Sequence, residues 1–162
     1  MSKDKPCSAL LDCSFLIRLL NNEDNLHENA KGYFKYFLEE KIILKVSTIA
    51  IAEYCVKGDK EDLPWENIQV VPFTIDHAIE AGRMGRIVFD EKERRGTNIQ
   101  PRSIIPNDTK MFAQANKIED IAYFVSSDSE AVKIYDILQQ NGINFDYVDI
   151  KQPHTERFGV MF

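Results

Sequence analysis

The sequence predicts an α/β fold, a mainly parallel central sheet flanked by helices on both faces. Three observations carry that expectation. Short apolar, β-rich runs alternate with segments of helical period along the whole chain. One of the runs, Ile121-Ala122-Tyr123-Phe124-Val125, is apolar without a break, as a strand covered on both faces should be. Acids recur just past the ends of predicted strands, and ligands in open parallel sheets bind at that carboxyl edge. The 162 residues fit one domain that buries about two-thirds of its unfolded surface. The expected layout is a single domain over 1–162, with a core of about 8–150 and a C-terminal tail of 151–162.

Ser8-Ala9-Leu10-Leu11 is a short apolar run that ends in Asp12 and passes at once into Phe15 to Leu20. It reads as a buried strand that delivers a carboxylate to a strand–helix junction. Ser14 is the expected cap of a helix over 15–20, broken by Asn21-Asn22-Glu23-Asp24-Asn25. A second helix is predicted from about Leu26 to Lys41, with Ala30, Tyr33, Phe34, Phe37 and Leu38 as its core stripe. Ile42 to Ser47 is a β-rich strand. Thr48 to Val56 is a helix apolar almost all round, with Glu53 its single acid. A carboxylate there must find a cation, donors or the rim of the fold, because burying it alone is costly.

Gly58 stops that helix, and a loop with Pro64-Trp65 leads to a strand over Ile68 to Phe73. Thr74 or Asp76 then caps a long helix to about Arg95, with Ile79, Met84 and Ile87-Val88 inward. The loop from Gly96 to Pro106 is long enough to be functional. Pro106-Asn107-Asp108 opens a helix on a stripe of Met111 or Phe112, Ala115 and Ile118, and there Asp108 can serve as cap and as a chemical group. The strand of 121–125 ends in Ser126-Ser127-Asp128. A helix with Ala131, Ile134, Ile137 and Leu138 inward follows, and Phe145 to Ile150 is the last strand. The tail from Lys151 is expected to pack on its own domain through Phe158, Val160, Met161 and Phe162.

No apolar run approaches the roughly 20 residues that cross a bilayer, and Met1 to Pro6 lacks the apolar segment of a secretory signal. The expectation is a cytoplasmic protein without membrane contact. Cys7, Cys13 and Cys55 lack metal-site spacing and are expected to be reduced, mostly buried thiols. A net charge of −6 excludes coating of nucleic acid by bulk attraction. Local attraction stays open. Between Arg83 and Arg102 six cations, Arg94, Arg95 and Arg102 among them, face three acids.

With a parallel sheet, at least three of Asp12, Glu53, Asp108 and Asp128 fall at the same carboxyl edge, and short connections bring them toward one pocket. Four carboxylates in one pocket cannot all stay ionised without a cation. Hard oxygen donors without His or Cys suit Mg²⁺ or Mn²⁺ rather than Zn²⁺. The usual partner of such an ion is a phosphate, and the basic segment gives nucleic acid a route to it.

Four stretches carry a family likeness: Leu10-Leu11-Asp12-Cys13-Ser14, Val46 to Glu53, Pro106 to Ala115, and Phe124-Val125-Ser126-Ser127-Asp128. In this order and spacing the sequence resembles the PIN domain nucleases, which include the toxin ribonucleases of bacterial toxin–antitoxin modules. The resemblance implies metal held by Asp12, Glu53, Asp108 and Asp128, a hydroxyl at Ser126 that orders the site, and a small hydroxyl residue at Ser14 for the substrate. Ser126 stands where Thr is commoner. The tail from about Lys151 lies outside the likeness, and the 96–106 loop matches only loosely.

The activity this implies is hydrolysis of RNA phosphodiesters by metal-activated water, with Arg94, Arg95 and Arg102 on the substrate. A small antitoxin blocking the pocket and a second copy of the chain are the implied partners. Two rivals remain open at this point. The same fold can hold RNA or a protein through an idle metal site, and Asp12 could be a phosphoryl-accepting nucleophile. Against the last, residue 14 is Ser, so an Asp-x-Asp start is missing.

Overall fold

Strand β1 (Ser8–Leu11) lies in the middle of a five-stranded, all-parallel sheet, and every one of its residues is buried. The computed structural model describes residues 6–96 and 106–159. β2 (Ile43–Ser47) pairs with β1 on one side and with β3 (Ile68–Val71) beyond; β4 (Ile121–Ser126) pairs on the other, with β5 (Asp146–Asp149) beyond it. The order is β3-β2-β1-β4-β5. The chain therefore winds outward from β1 in both directions, and the crevice beyond the carboxyl ends of β1 and β4 is the topological switch point where such sheets take ligands.

Seven helices accompany these strands among the described residues. They are α1 (Cys13–Leu20), α2 (His27–Glu39), α3 (Thr48–Tyr54), α4 (Ile75–Arg94), α5 (Asn107–Lys117), α6 (Ser129–Gln139) and α7 (His154–Phe158). Tyr123 and Phe124 are consecutive on β4, so their side chains point to opposite faces. Phe37 of α2 stacks on Tyr123 with centroids 6.2 Å apart, while Phe112 of α5 meets Phe124 edge-on at 4.6 Å. Helices thus cover both faces, as the unbroken apolar run of β4 requires.

The tail packs on its own domain as far as Gly159. Phe158 stacks flat on Tyr36 at 4.7 Å, Tyr33 donates to the Gln152 carbonyl, and Asn29 donates to that of Ile150. The His154 ring comes within 2.6 Å of where a Cβ on Gly32 would stand, so only glycine lets α7 lie this close to α2. Val160, Met161 and Phe162 lie outside the described residues, as does the loop of residues 97–105 with Arg102.

Several local expectations need correction. Asp12, not Ser14, caps α1, because its carboxylate accepts from the Phe15 amide and the helix begins at Cys13. α2 ends at Glu39, since Lys41 has a left-handed φ of 58°. Thr74 is the cap of α4, in a capping box with the His77 ring. Ile79 points out and is 68% exposed, because α5 and α6 cover the face of α4 that carries Ala81, Met84 and Val88. Pro106 sits at the N-cap of α5, so Asp108 is in the first turn and caps nothing. Cys55 is exposed, while Cys13 is buried and Cys7 half-buried.

Candidate active site

Asp12 follows β1 directly, and its amide donates to the Val125 carbonyl of β4 at 3.1 Å, which ties the two central strands at their carboxyl ends. The side chain is 2% exposed. Its Oδ1 accepts from Ser14 Oγ at 2.7 Å and from the Phe15 amide at 2.9 Å, and its Oδ2 accepts from Ser126 Oγ. Burial nevertheless pushes its pKa up to about 6, against the pull of Ser126, Ser14 and the Phe15 amide and with the charge of Asp128 adding to it. With one donor on Oδ2, that oxygen keeps a lone pair for a further partner.

Ser126 and Ser14 hold this carboxylate from two elements. Ser126 closes β4, is fully buried, and also accepts from the Asp128 amide at 3.0 Å. Ser14 donates to Asp12 and accepts from the Ser127 amide at 2.9 Å, clasping α1 to the β4–α6 junction. Ser14 Oγ also lies 3.2 Å from Ser126 Oγ, so the two hydroxyls that hold Asp12 touch each other. Asp128 caps α6, its Oδ1 accepting from the Glu130 amide at 2.8 Å.

Asp108 and Glu53 complete the crowd. Asp108 is raised to about 7 by burial first, then by the charges of Asp12, Asp128 and Glu53. Glu53 on α3 is likewise raised by burial and by Asp128, with Asn107 and Lys110 of α5 opposing the shift. Its Oε1 is buried and accepts no hydrogen bond. The four acids therefore sense one another as a group. Among the described residues, however, no three His, Cys, Asp or Glu side chains stand in a ligand cage.

An oxygen-only donor set, an orphaned buried carboxylate oxygen and acids raised by one another fit a hard divalent cation. Mg²⁺ or Mn²⁺, which keep several waters and need few protein ligands, match this set best. Glu53 also walls a cavity of about 590 Å³ between α1 and α3, whose other walls include Cys13, Ile17, Leu20, Tyr54 and Val56.

Of the expected basic residues, Arg102 lies outside the described residues and the other two are on α4. Arg94 and Arg95 both pair with Glu91 on the outer turns of α4, and Arg95 shares a surface cavity with Lys92, Lys133 and Glu130, two residues beyond Asp128. Two other cations, Lys110 and Arg18, lie at this end of the sheet. Lys110 acts on Glu53, and Arg18 donates from Nε to Ser127 Oγ at 3.4 Å. A signal for Arg18 existed: it lies four residues after Ser14, on the same side of a helix.

No family model matches the sequence, and no curated protein matches it significantly. Solved structures do match. A chain of the DNA-bound VapBC of Salmonella typhimurium aligns over 89% of this chain and 98% of its own, at 16% identity and a TM-score of 0.54. A chain of VapBC2 from Rickettsia felis, bound to a DNA fragment from its promoter, aligns over 87% and 97% at 14% identity and 0.54. VapC20 of Mycobacterium tuberculosis, described as a sarcin-ricin loop cleaving toxin, aligns over 78% and 94% at 18% identity and 0.47. The fold is that of a PIN domain, with the parallel sheet and switch-point crevice described above. Within that class, it is similar to chains of these two VapBC structures.

Proposed function

We propose that this chain is a divalent-metal-dependent ribonuclease that hydrolyses phosphodiester bonds in RNA and serves as the toxin of a toxin–antitoxin module. The observation that carries the reading is the crevice beyond β1 and β4. There Asp12, Asp108 and Glu53 are all raised by burial, and Glu53 Oε1 has no donor. Asp12, Asp108 and Asp128 are the ligands in this reading, with Glu53 direct or through water. Mg²⁺ or Mn²⁺ bound there supplies positive charge to the phosphate and acidity to a water. Ser126 and Ser14 fix the orientation of Asp12, and Lys110 lies by Glu53 to meet the strand. No side chain acts as nucleophile. A second chain of antitoxin type is the proposed partner, because the neighbours are VapBC assemblies and an apolar cavity with exposed Ile17 and Val56 adjoins Glu53.

The test is cleavage of single-stranded RNA with Mn²⁺ by wild type and by Asp12→Asn and Asp108→Asn. Turnover should fall by orders of magnitude in both variants with circular dichroism unchanged; equal rates would end the reading. A second reading, an RNA-holding module with an idle metal site, is favoured by the missing ligand cage. Calorimetric titration of Mn²⁺ separates the two, since an idle site takes up no ion while RNA is still retained. A homodimer is also within the proposal, but not through Phe158, which is used inside its own domain. Sedimentation equilibrium reads its presence.

A further inference from the structure

We propose that Arg18 is a substrate-binding residue that holds a backbone phosphate of the RNA strand beside the acid cluster, on the Ser127 side. This rests on the ribonuclease reading and adds a residue to it.

α1 presents two successive turns to the β4–α6 junction. Ser14 takes the Ser127 amide, and one turn on, Arg18 Nε reaches the Ser127 hydroxyl at 3.4 Å. The guanidinium thus stands against the residue between Ser126, which holds Asp12, and Asp128. Its position is not left to chance. Nη1 donates to both Asp24 oxygens at 2.9 Å and to Asn25 Oδ1 at 3.3 Å, and the Arg18 carbonyl is engaged by His27 Nδ1 at 3.1 Å. Nη2 has no hydrogen-bond partner among the described residues, and the side chain is 31% exposed.

An arginine held at Nη1 by a carboxylate and at Nε by a hydroxyl keeps Nη2 for a phosphate oxygen. An RNA strand must bring polyanionic charge up to four carboxylates, and a fixed cation at the rim offsets that repulsion. Arg94 and Arg95 are poorer candidates, because both pair with Glu91 on α4 and, unlike Arg18, neither makes a hydrogen bond to the β4–α6 junction among the described residues. The competing explanation is a staple: Arg18 pins the Asn21–Leu26 turn through Asp24 and does nothing to substrate.

The two differ in what Asp24 does. Binding of a fluorescein-labelled single-stranded oligoribonucleotide is measured by anisotropy at several salt concentrations, with Mn²⁺, in an Asp12→Asn background that removes cleavage. Arg18→Gln should weaken binding about tenfold to a hundredfold, the loss of one charged hydrogen-bonded contact. It should also reduce the slope of log affinity against log salt by about 0.7, one phosphate of a single strand. Asp24→Asn loosens the staple but keeps the cation, so the slope should stay at the parent's value and affinity should fall clearly less than in Arg18→Gln. If both variants weaken binding alike, or Arg18→Gln leaves the slope unchanged, Arg18 is a staple and the proposal fails. Should Arg18→Gln not fold, Arg18→Lys takes its place: its charge keeps the slope and its lost fork lowers affinity severalfold, whereas affinity equal to the parent's overturns the proposal. A wild type that neither binds nor cuts RNA removes the ribonuclease reading itself. A wild type that does both, with Arg18 variants indistinguishable from it, removes only this inference.

Discussion

The two ends of the central strand pair treat buried acids in opposite ways. At the amino end of β1 and β4, Asp120 takes both oxygens to Lys45 Nζ at 2.8 Å, across 75 residues of sequence. Burial works to raise its pKa, yet the hydrogen bonds and charge of Lys45 hold it below the usual carboxylate range. At the carboxyl end, six or fewer residues along each strand, Asp12 is buried with only neutral donors, and Asp108 and Glu53 crowd beside it. There the pKa values go up. One end is an electrostatically closed structural tie; the other stores repulsion that a cation can relieve. That difference, rather than the number of acids, is the ground for proposing the carboxyl end as the functional one.

The sharpest break of the comparison is a cation titration. Mn²⁺ at about 100 times its dissociation constant should stabilise the wild type by about 2.7 kcal/mol. That raises Tm by about 5–10 °C, and Asp12→Asn or Asp108→Asn should cancel most of the rise. Calorimetric melting at pH 8 reads it, and a flat response in wild type would make the two ends alike. Next, Lys45→Met leaves Asp120 without its cation. Removing one partner of a buried pair is costly, but the 24% exposure of Asp120 admits water, so a loss of about 2 kcal/mol is expected by urea melting, with no change in Mn²⁺ affinity.

The pH dependence of the metal-free protein sharpens the contrast. Asp108 has a folded pKa of about 7 against 3.8 as a free carboxyl. Its contribution is full below the lower value and is lost as pH rises through the upper one. Metal-free wild type should therefore melt higher at pH 5 than at pH 8. Asp108→Asn should gain on the order of 2 kcal/mol over wild type at pH 8, and that gain should shrink as pH falls toward 4. The smallest effect is Ser14→Ala, about 1 kcal/mol from losing two hydrogen bonds that partly re-form with water. Denaturant midpoints at fixed pH measure it, and the loss should be greater above pH 7, where Asp12 is ionised.

Much of this was legible along the chain. Periodicity placed every strand within two residues or so, and the apolar run before Asp12 and the one before Ser126-Ser127-Asp128 announced where acids leave the sheet. What failed did so for identifiable reasons. Ile79 has helical spacing with Met84, yet which face of α4 is covered depends on α5 and α6, which come later in the chain. Ser14 looked like the cap because Ser caps helices often, but Asp12 is two residues nearer the strand and its carboxylate reaches the Phe15 amide. Arg18 looked like one more polar position on a short helix, since nothing local tells that Ser127 lies beside it.

The amino-acid sequence by itself determined the alternation of strands and helices and the acids that end β1 and open α5 and α6. Those are decided by side-chain period and by the chemistry of strand and helix ends, which act within a few residues. Only the tertiary structure decided the order β3-β2-β1-β4-β5. By seating β4 beside β1 it brings Ser126 onto Asp12 across 114 residues, and it leaves Asp108 and Glu53 facing acids where Asp120 faces Lys45. Strand neighbours far apart in the chain are chosen by how the whole core packs, so no short stretch of residues holds that information.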